Sequence, residues 1–478
     1  MASVLFMEIG KPPARGRLPQ LAPLAIAALL LSGCDWLRPP TTNSGITPPP
    51  QLAAAPPGTP AAWPAAEWWR GFGAPELDTL MQAAVTRGFD IAAAEARVRQ
   101  ADAQLKIAGA SLLPTISLSG DAARSQSASS GRQGSPVNTA NLSVAASYEI
   151  DFWGRNRATT EAARQTANAA RFDLGTVRIT TEASVANTYF QFVAAQEQVA
   201  IAQANLQAAQ RLLVVVRARV DAGTATGLDL AQQETLVAQQ RAQIPPLLQL
   251  AEQSRNSLAT LTGILPESID ARGGVLNAIA VPQVQPGMPA EILVRRPDVL
   301  NAEATLAAAN ANIAAARAAL LPNITLTASG GIASVALTSL LNPAQFVFNI
   351  AASLVQPIFQ GGALRGQMQL SEARAQELLA DYRKAIVSAL VDSENGLIGL
   401  QRTTEQAQLQ VQAVAAAERA FTIAEAQLRA GTVDQTSVLL TQQTLFNART
   451  ALVQTKLARL QAAIALFRAL GGGWGAQP

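Results

Sequence analysis

The sequence predicts a mainly α-helical chain that also carries four strands for a membrane β-barrel, the whole written twice. Three observations lead there. Between Asn141 and Tyr148 apolar residues recur at every second position, Leu142, Val144, Ala146 and Tyr148 against Asn141, Ser143 and Ser147, the period of a strand with one oily and one wet face. From Val185 the period becomes seven, with Phe192, Val199, Leu206, Leu213 and Val220 in one row and Ala195, Ala202, Ala209 and Val216 three positions further on, as a coiled-coil seam requires. Finally, one offset relates the two halves: Asp90-Ile91, Glu95 and Leu113-Pro114 match Asp298-Val299, Glu303 and Leu321-Pro322, and 298 − 90, 303 − 95 and 322 − 114 all give 208.

Composition narrows the class. Aromatic residues make up 5% of the 478 and charged residues 14%, so small-residue helix packing replaces a bulky globular core. The chain has no histidine, which excludes His-based acid/base catalysis and a His metal relay. No Cys/His cluster or phosphate-cradling Gly loop is present, and the sequence points to no enzyme and no cofactor beyond a covalent lipid. The formal charge of +3 includes a net +2 from Glu8, Lys11, Arg15 and Arg17, so about +1 remains in the mature chain and nucleic acid is not implied.

Residues 1–33 read as a secretory signal: basic residues, an apolar stretch from Leu18 to Leu31, then Leu31-Ser32-Gly33-Cys34. That stretch is about fourteen residues, short of the roughly twenty needed to span a bilayer. Cys34 is the only cysteine, in a context like a bacterial lipobox, so it is expected to carry the lipid after cleavage. Asp35 follows it, a residue that in enteric-type sorting favours retention in the inner membrane. Residues 34–66 are dense in proline and are expected to form an extended, weakly ordered tether. Trp68, Trp69 and Phe72 lead from it into a short amphipathic helix with Leu77, Leu80 and Met81.

Two copies of one unit follow, residues 67–263 and 296–470, separated by a segment at 264–295 and ended by a Gly-rich tail at 471–478. In each, a helix stops at Leu-Leu-Pro, because proline removes the N–H that would continue the ladder. Strands are expected at about 115–124 and 141–151, and again at 323–332 and 346–357. The loop between the first pair, Ser125 to Asn138, is polar; that between the second, Gly330 to Pro343, is more apolar. Long helices are predicted at about 155–222 and 363–430, each on the order of 100 Å. Tight turns at Gly223-Thr224 and Gly431-Thr432 reverse them into return helices at about 228–262 and 436–470. Pro245-Pro246 predicts a break or kink in the first return helix.

Four strands cannot close a barrel, and open edges are not tolerated in hydrocarbon, so closure requires further copies. Two copies would give eight strands around a bore filled by side chains; three would give twelve strands and a helical tube. The strands also discriminate against a pore-less, lipid-tethered periplasmic scaffold, which has no use for amphipathic hairpins.

Trp68-Trp69-Arg70-Gly71-Phe72, Tyr148-Glu149-Ile150-Asp151-Phe152-Trp153-Gly154-Arg155, Arg295-Arg296-Pro297-Asp298-Val299 and Gln356-Pro357-Ile358-Phe359-Gln360-Gly361-Gly362 give the chain a resemblance to the outer-membrane factors, the TolC-like efflux ducts, and within them to the NodT-type lipoproteins. The resemblance implies a homotrimeric 12-stranded barrel in outer-membrane lipid, a periplasmic coiled-coil tube and a mixed equatorial belt. It implies partners too: a periplasmic adaptor (membrane fusion) protein and an inner-membrane pump, most often of the RND type. A duct for type I protein secretion shares the same residues. By resemblance, Gly223, Thr224, Gly431 and Thr432 dock the adaptor, and Asp229 forms a constricting ring at the tip. In the second copy that position is Ser437, with Asp434 three residues earlier. Gly154, Arg155, Pro357, Gly361 and Gly362 mark the strand–helix junctions. Arg155, Arg295 and Arg296 are expected to pair with nearby carboxylates, and Tyr148 and Trp153 suit an interfacial belt.

Overall fold

The computed structural model describes residues 38–55, 63–126, 128–129, 132–133, 136–283, 288–334 and 346–474. Cys34, the signal segment and most of the apolar loop after Gly330 lie outside them. The chain divides into two compact units, one built on residues 112–158 and 311–369, the other on 41–111, 159–310 and 370–478.

The first unit holds one antiparallel sheet. Its strands are β1 (Thr115–Ser125), β2 (Val137–Ile150), β3 (Asn323–Ser334) and β4 (Phe346–Val355), hydrogen-bonded in chain order. β2 begins at Val137, not near 141, because Val137 to Ala140 continue the ladder opposite Ser125 to Ala122. Above that pair, Ala128–Ser129 and Arg132–Gln133 form a further short ladder, so the polar stretch read as loop is largely paired.

Register decides the faces, since residues directly opposite each other share one. Ile116 faces Ala146, Leu118 faces Val144, Leu142 faces Ile332, Tyr148 faces Leu326, and Ala328 faces Ile350. The even-numbered residues of all four strands therefore make one continuous apolar face. On the odd face Ser119 and Ser143 share a hydrogen bond of 3.0 Å, and Asn141 Nδ2 donates to Asp121 at 2.7 Å. Both faces are open, with Ile350 79% exposed, and β1 and β4 are unpaired on their outer sides.

The helices are α1 (Pro75–Arg87), α2 (Phe89–Ala110), α3 (Arg155–Asp221), α4 (Gly227–Thr262), α5 (Pro289–Arg295), α6 (Pro297–Ala318), α7 (Ala363–Arg429) and α8 (Gln435–Ala469). On α3 the seam separates into two roles. Ala195, Ala202, Ala209 and Val216 are buried within the chain, whereas Val199, Leu206, Leu213 and Val220 are only half-buried. Small residues thus admit the chain's own helices, and the larger row is left for another surface.

The principal core of the second unit gathers Trp68, Phe72, Leu77 and Met81 with Val185, Phe190, Leu258, Ile464 and Phe467. Trp68 stacks on Phe467 at 5.0 Å. The segment after α4 is fastened to this core by buried carboxylates: Glu76 accepts from the Arg272 and Gly273 amides at 3.1 Å and Glu197 from the Leu276 amide at 2.7 Å. The 208-residue offset reaches into this layer. Gly263 (φ 67°) and Gly471 (φ 92°) end α4 and α8, and a Cβ on either would lie 2.4 Å from a carbonyl, that of Arg87 or of Arg295. These pairs differ by 471 − 263 and 295 − 87, both 208.

Three expectations are corrected. The described part of the proline-rich stretch is fastened, not loose: Arg383 Nε donates to the Ser44 carbonyl at 2.8 Å, and the Ala54 amide donates to Glu394 at 2.7 Å. Leu52 sits among Ile292, Leu466 and Leu470, so apolar residues scattered among the prolines find sockets that composition alone does not reveal. α4 continues through Pro245-Pro246 without a break. Both prolines are exposed, as are Arg241 and Ala242, whose carbonyls lose their helical donors and can turn to water, while the fixed proline φ suits a helix. Lastly, Gly471 to Trp474 are not a tail: positive φ at Gly471, Gly472 and Gly473 brings Trp474 edge-on to Phe172 at 6.0 Å.

Candidate functional site

The two helical hairpin tips end by the same device. After α3, Gly223 takes φ 71°, its amide donates to Val220 at 2.9 Å, and the Thr224 amide donates to Arg219 at 2.8 Å. After α7, Gly431 takes φ 74° and the corresponding bonds run to Leu428 at 3.1 Å and Gln427 at 3.0 Å. This is the Schellman arrangement, which satisfies carbonyls that a helix end would otherwise orphan. The threonines add their hydroxyls to the same acceptors, Thr224 to Arg219 at 3.1 Å and Thr432 to Gln427 at 3.2 Å. No atom lies within 4 Å of a Cβ built on either glycine, so backbone conformation alone demands glycine there.

Both return helices begin with a carboxylate cap, but the two copies exchange its parts. In the first, the Thr226 hydroxyl accepts from the Asp229 amide at 3.2 Å, and Asp229 Oδ2 accepts from the Thr226 amide at 2.8 Å, a capping box. In the second, the aspartate is itself the cap: Asp434 accepts from the Ser437 amide at 2.7 Å. Since 434 − 226 and 437 − 229 are both 208, Thr-x-x-Asp has become Asp-x-x-Ser at equivalent positions. The Ser437 hydroxyl and then its amide hold the Asp434 carboxyl below the usual carboxylate range. Asp434 thus restores a carboxylate one helical turn before the position where the sequence places Ser437. Thr226 escaped the sequence reading, although its three-residue spacing to Asp229 is a capping signal.

Arg219 links the tips, donating to the Leu428 carbonyl and to the Thr224 carbonyl, each at 3.4 Å. Around them Val214, Leu228, Ile423 and Leu440 are exposed by more than half. The tips therefore present apolar side chains beside two fixed carboxylates and a set of rigid turns.

At the first strand–helix junction β2 ends at Ile150 and α3 begins at Arg155. Gly154 has φ 78°, and Asp151 accepts from the Asn156 and Arg157 amides at 2.9 Å, supplying α3 with its cap. Arg155 clasps both oxygens of Glu149 at 2.8 and 2.7 Å. Trp153 donates its indole N–H to the Pro322 carbonyl at 2.7 Å. At the second junction Gly361 and Gly362 have φ 60° and 87°, Gln356 beside Pro357 donates to Leu320 at 3.1 Å, and Ile358 and Phe359 are exposed. Of the other two arginines, Arg296 is buried and pairs with Asp298 at 2.6 Å and Asp392 at 3.1 Å. Arg295 instead lies over the Trp63 ring, 4.6 Å from its centre, so the packed proline-rich segment supplies a partner that the sequence does not place beside it.

The family described as "Outer membrane efflux protein" matches residues 80–264 and 288–472, two stretches displaced by 288 − 80 = 208. The chain is 42% identical over 458 residues to the pyoverdine export outer membrane protein OpmQ of Pseudomonas aeruginosa, covering 94% of this chain and 96% of that one. It is 33% identical to the probable efflux pump outer membrane protein TtgC of Pseudomonas putida, covering 95% and 96%. The solved outer-membrane channel OprN superposes with a TM-score of 0.87 at 26% identity, over 92% of this chain and 99% of that one. The repeat, the amphipathic sheet and the hairpin tips are accordingly those of a channel protein of the outer membrane that extends into the periplasm, and the chain belongs to the outer membrane efflux protein family.

Proposed function

We propose that three copies of this chain close into a passive exit duct for small molecules, the outer-membrane part of a tripartite pump. One observation carries the proposal: the sheet has an apolar face, a polar face and two unpaired edges, β1 and β4. Unpaired backbone groups in hydrocarbon cost several kcal/mol each, so the edges demand partners, and other copies of β1 and β4 supply them. The apolar face then meets lipid and the polar face lines a wet bore. Cys34 adds a lipid anchor.

A periplasmic adaptor docks on the turns at Gly223-Thr224 and Gly431-Thr432, and an inner-membrane pump, of the RND class, drives transport. Asp229 and Asp434 narrow the closed end. The names of the relatives, pyoverdine export and efflux pump, favour a small-molecule cargo over secreted protein. Recovery of the native adaptor and pump with tagged full-length protein tests this. The proposal expects both, with recovery reduced several-fold by Thr224→Arg. Co-purification with a secretion-type transporter and its protein cargo would overturn the cargo assignment.

Asp229→Ala is expected to raise single-channel conductance in planar bilayers several-fold, because it removes a ring of carboxylates and loosens the start of α4 together. An unchanged conductance would remove Asp229 from the constriction.

A further inference from the structure

Near the tips, α4 and α8 carry glutamines at one spacing: Gln233 and Gln240 on α4, Gln435 and Gln442 on α8, each pair seven residues apart. All four are buried, Gln233 and Gln442 completely. The first cross-pair is made: Gln435 Nε2 donates to Gln233 Oε1 at 3.2 Å, while Gln233 Nε2 donates to the Ala209 carbonyl at 3.0 Å.

Both helices begin at a tip and so run in the same direction. In such a pair, an advance of seven residues on each helix returns to the same mutual facing. A contact between 435 and 233 therefore implies one between 442 and 240. The atoms for that second rung are present and complementary: Gln442 Nε2, the donor, and Gln240 Oε1, the acceptor, are both buried without a protein partner. They are the same atoms that join in the first rung. The nearby core is apolar, with Leu236, Leu445 and Phe446, so an unmet amide there bears the full cost of lost hydration.

We infer that Gln240 and Gln442 form a second rung in another arrangement of the hairpins, and that this pair of helices is the two-state element through which the tips close and open. The inference rests on the exit-duct reading. In the arrangement described, the tip-side rung is made and the next is unmade. A small movement of α8 along α4 makes the second. Leucine at 240 and 442 would fill the same space without an unmet amide, so these glutamines are positioning residues for the alternative state.

The test uses full-length assemblies in planar bilayers. Gln442→Leu is expected to raise the melting temperature by a few degrees and lower the open fraction at least tenfold; Gln435→Leu, which breaks the first rung, is expected to raise the open fraction several-fold. An open fraction like wild type in Gln442→Leu, or a lowered melting temperature, overturns the inference. Should Gln442→Leu fail to assemble, the Gln240→Cys/Gln442→Cys pair decides. A disulfide that raises the open fraction and is reversed by reductant supports the second rung, with each single cysteine as control for Cys34. A disulfide without effect, or none formed, overturns it. Wild-type assemblies silent throughout would instead reject the duct reading, and so differ from a failure of the rung.

Discussion

Leu206→Glu is expected to abolish most assembly while leaving each copy folded. Leu206 belongs to the half-buried row of the α3 seam, opposite the buried alanines that pack inside the chain. The half left uncovered is worth about 1 kcal/mol when another copy buries it, so a ring of three loses about 3 kcal/mol, a shift of roughly a hundredfold. Forcing a carboxylate into that contact adds its desolvation cost. Trimer yield by size exclusion and native mass is the readout, helicity the check on folding, and Gln207→Glu on the exposed side the control. A normal trimer yield would show that the larger row does not face another copy.

Gly331→Val is expected to prevent barrel formation. Gly331 sits opposite Ser143 and Val347 on the polar face. A Cβ there would lie 2.4 Å from the Leu142 carbonyl oxygen and 2.7 Å from Ser143 Cα, both backbone atoms that can move only by parting β2 from β3. These are the two central strands, and the ladder between them joins the two halves of the repeat. At the neighbouring Gly330 a Cβ meets only the Phe346 ring, at an ordinary 3.5 Å. The contrast is the measurement: the heat-resistant trimer band in detergent gels vanishes in Gly331→Val and persists in Gly330→Val. Equal behaviour of the two would contradict the close approach of β2 and β3.

Where sequence and structure agree, the signal is periodic. Alternation in Leu142 to Tyr148 gives a strand because each residue's face is set by its parity alone, and the seven-residue row from Phe192 to Val220 gives a helix for the same kind of reason. The tips were legible as well, since Gly223 and Gly431 stand where a reversing helix needs a left-handed residue. What escaped depends on contacts distant in sequence. Nothing local tells Leu52 that Ile292 and Leu470 will form its socket, nor Arg295 that Trp63 will cover it. Pro245-Pro246 misled in the opposite sense, because a proline's cost depends on whether the orphaned carbonyls reach water, which is a property of the packed helix. The exchange of Thr226 and Asp229 for Asp434 and Ser437 lay in the sequence, visible once both copies are aligned at 208 and their side chains are asked to cap a helix.

The central claim is that copies of this chain complete one another's sheet and enclose a water-filled duct. Single-channel recording of the purified wild-type assembly in a planar bilayer tests it most directly. The account predicts discrete conductance steps, rare or small at rest and larger in Asp229→Ala. Intact trimers that insert and leave the membrane silent, in wild type and variant alike, would contradict it.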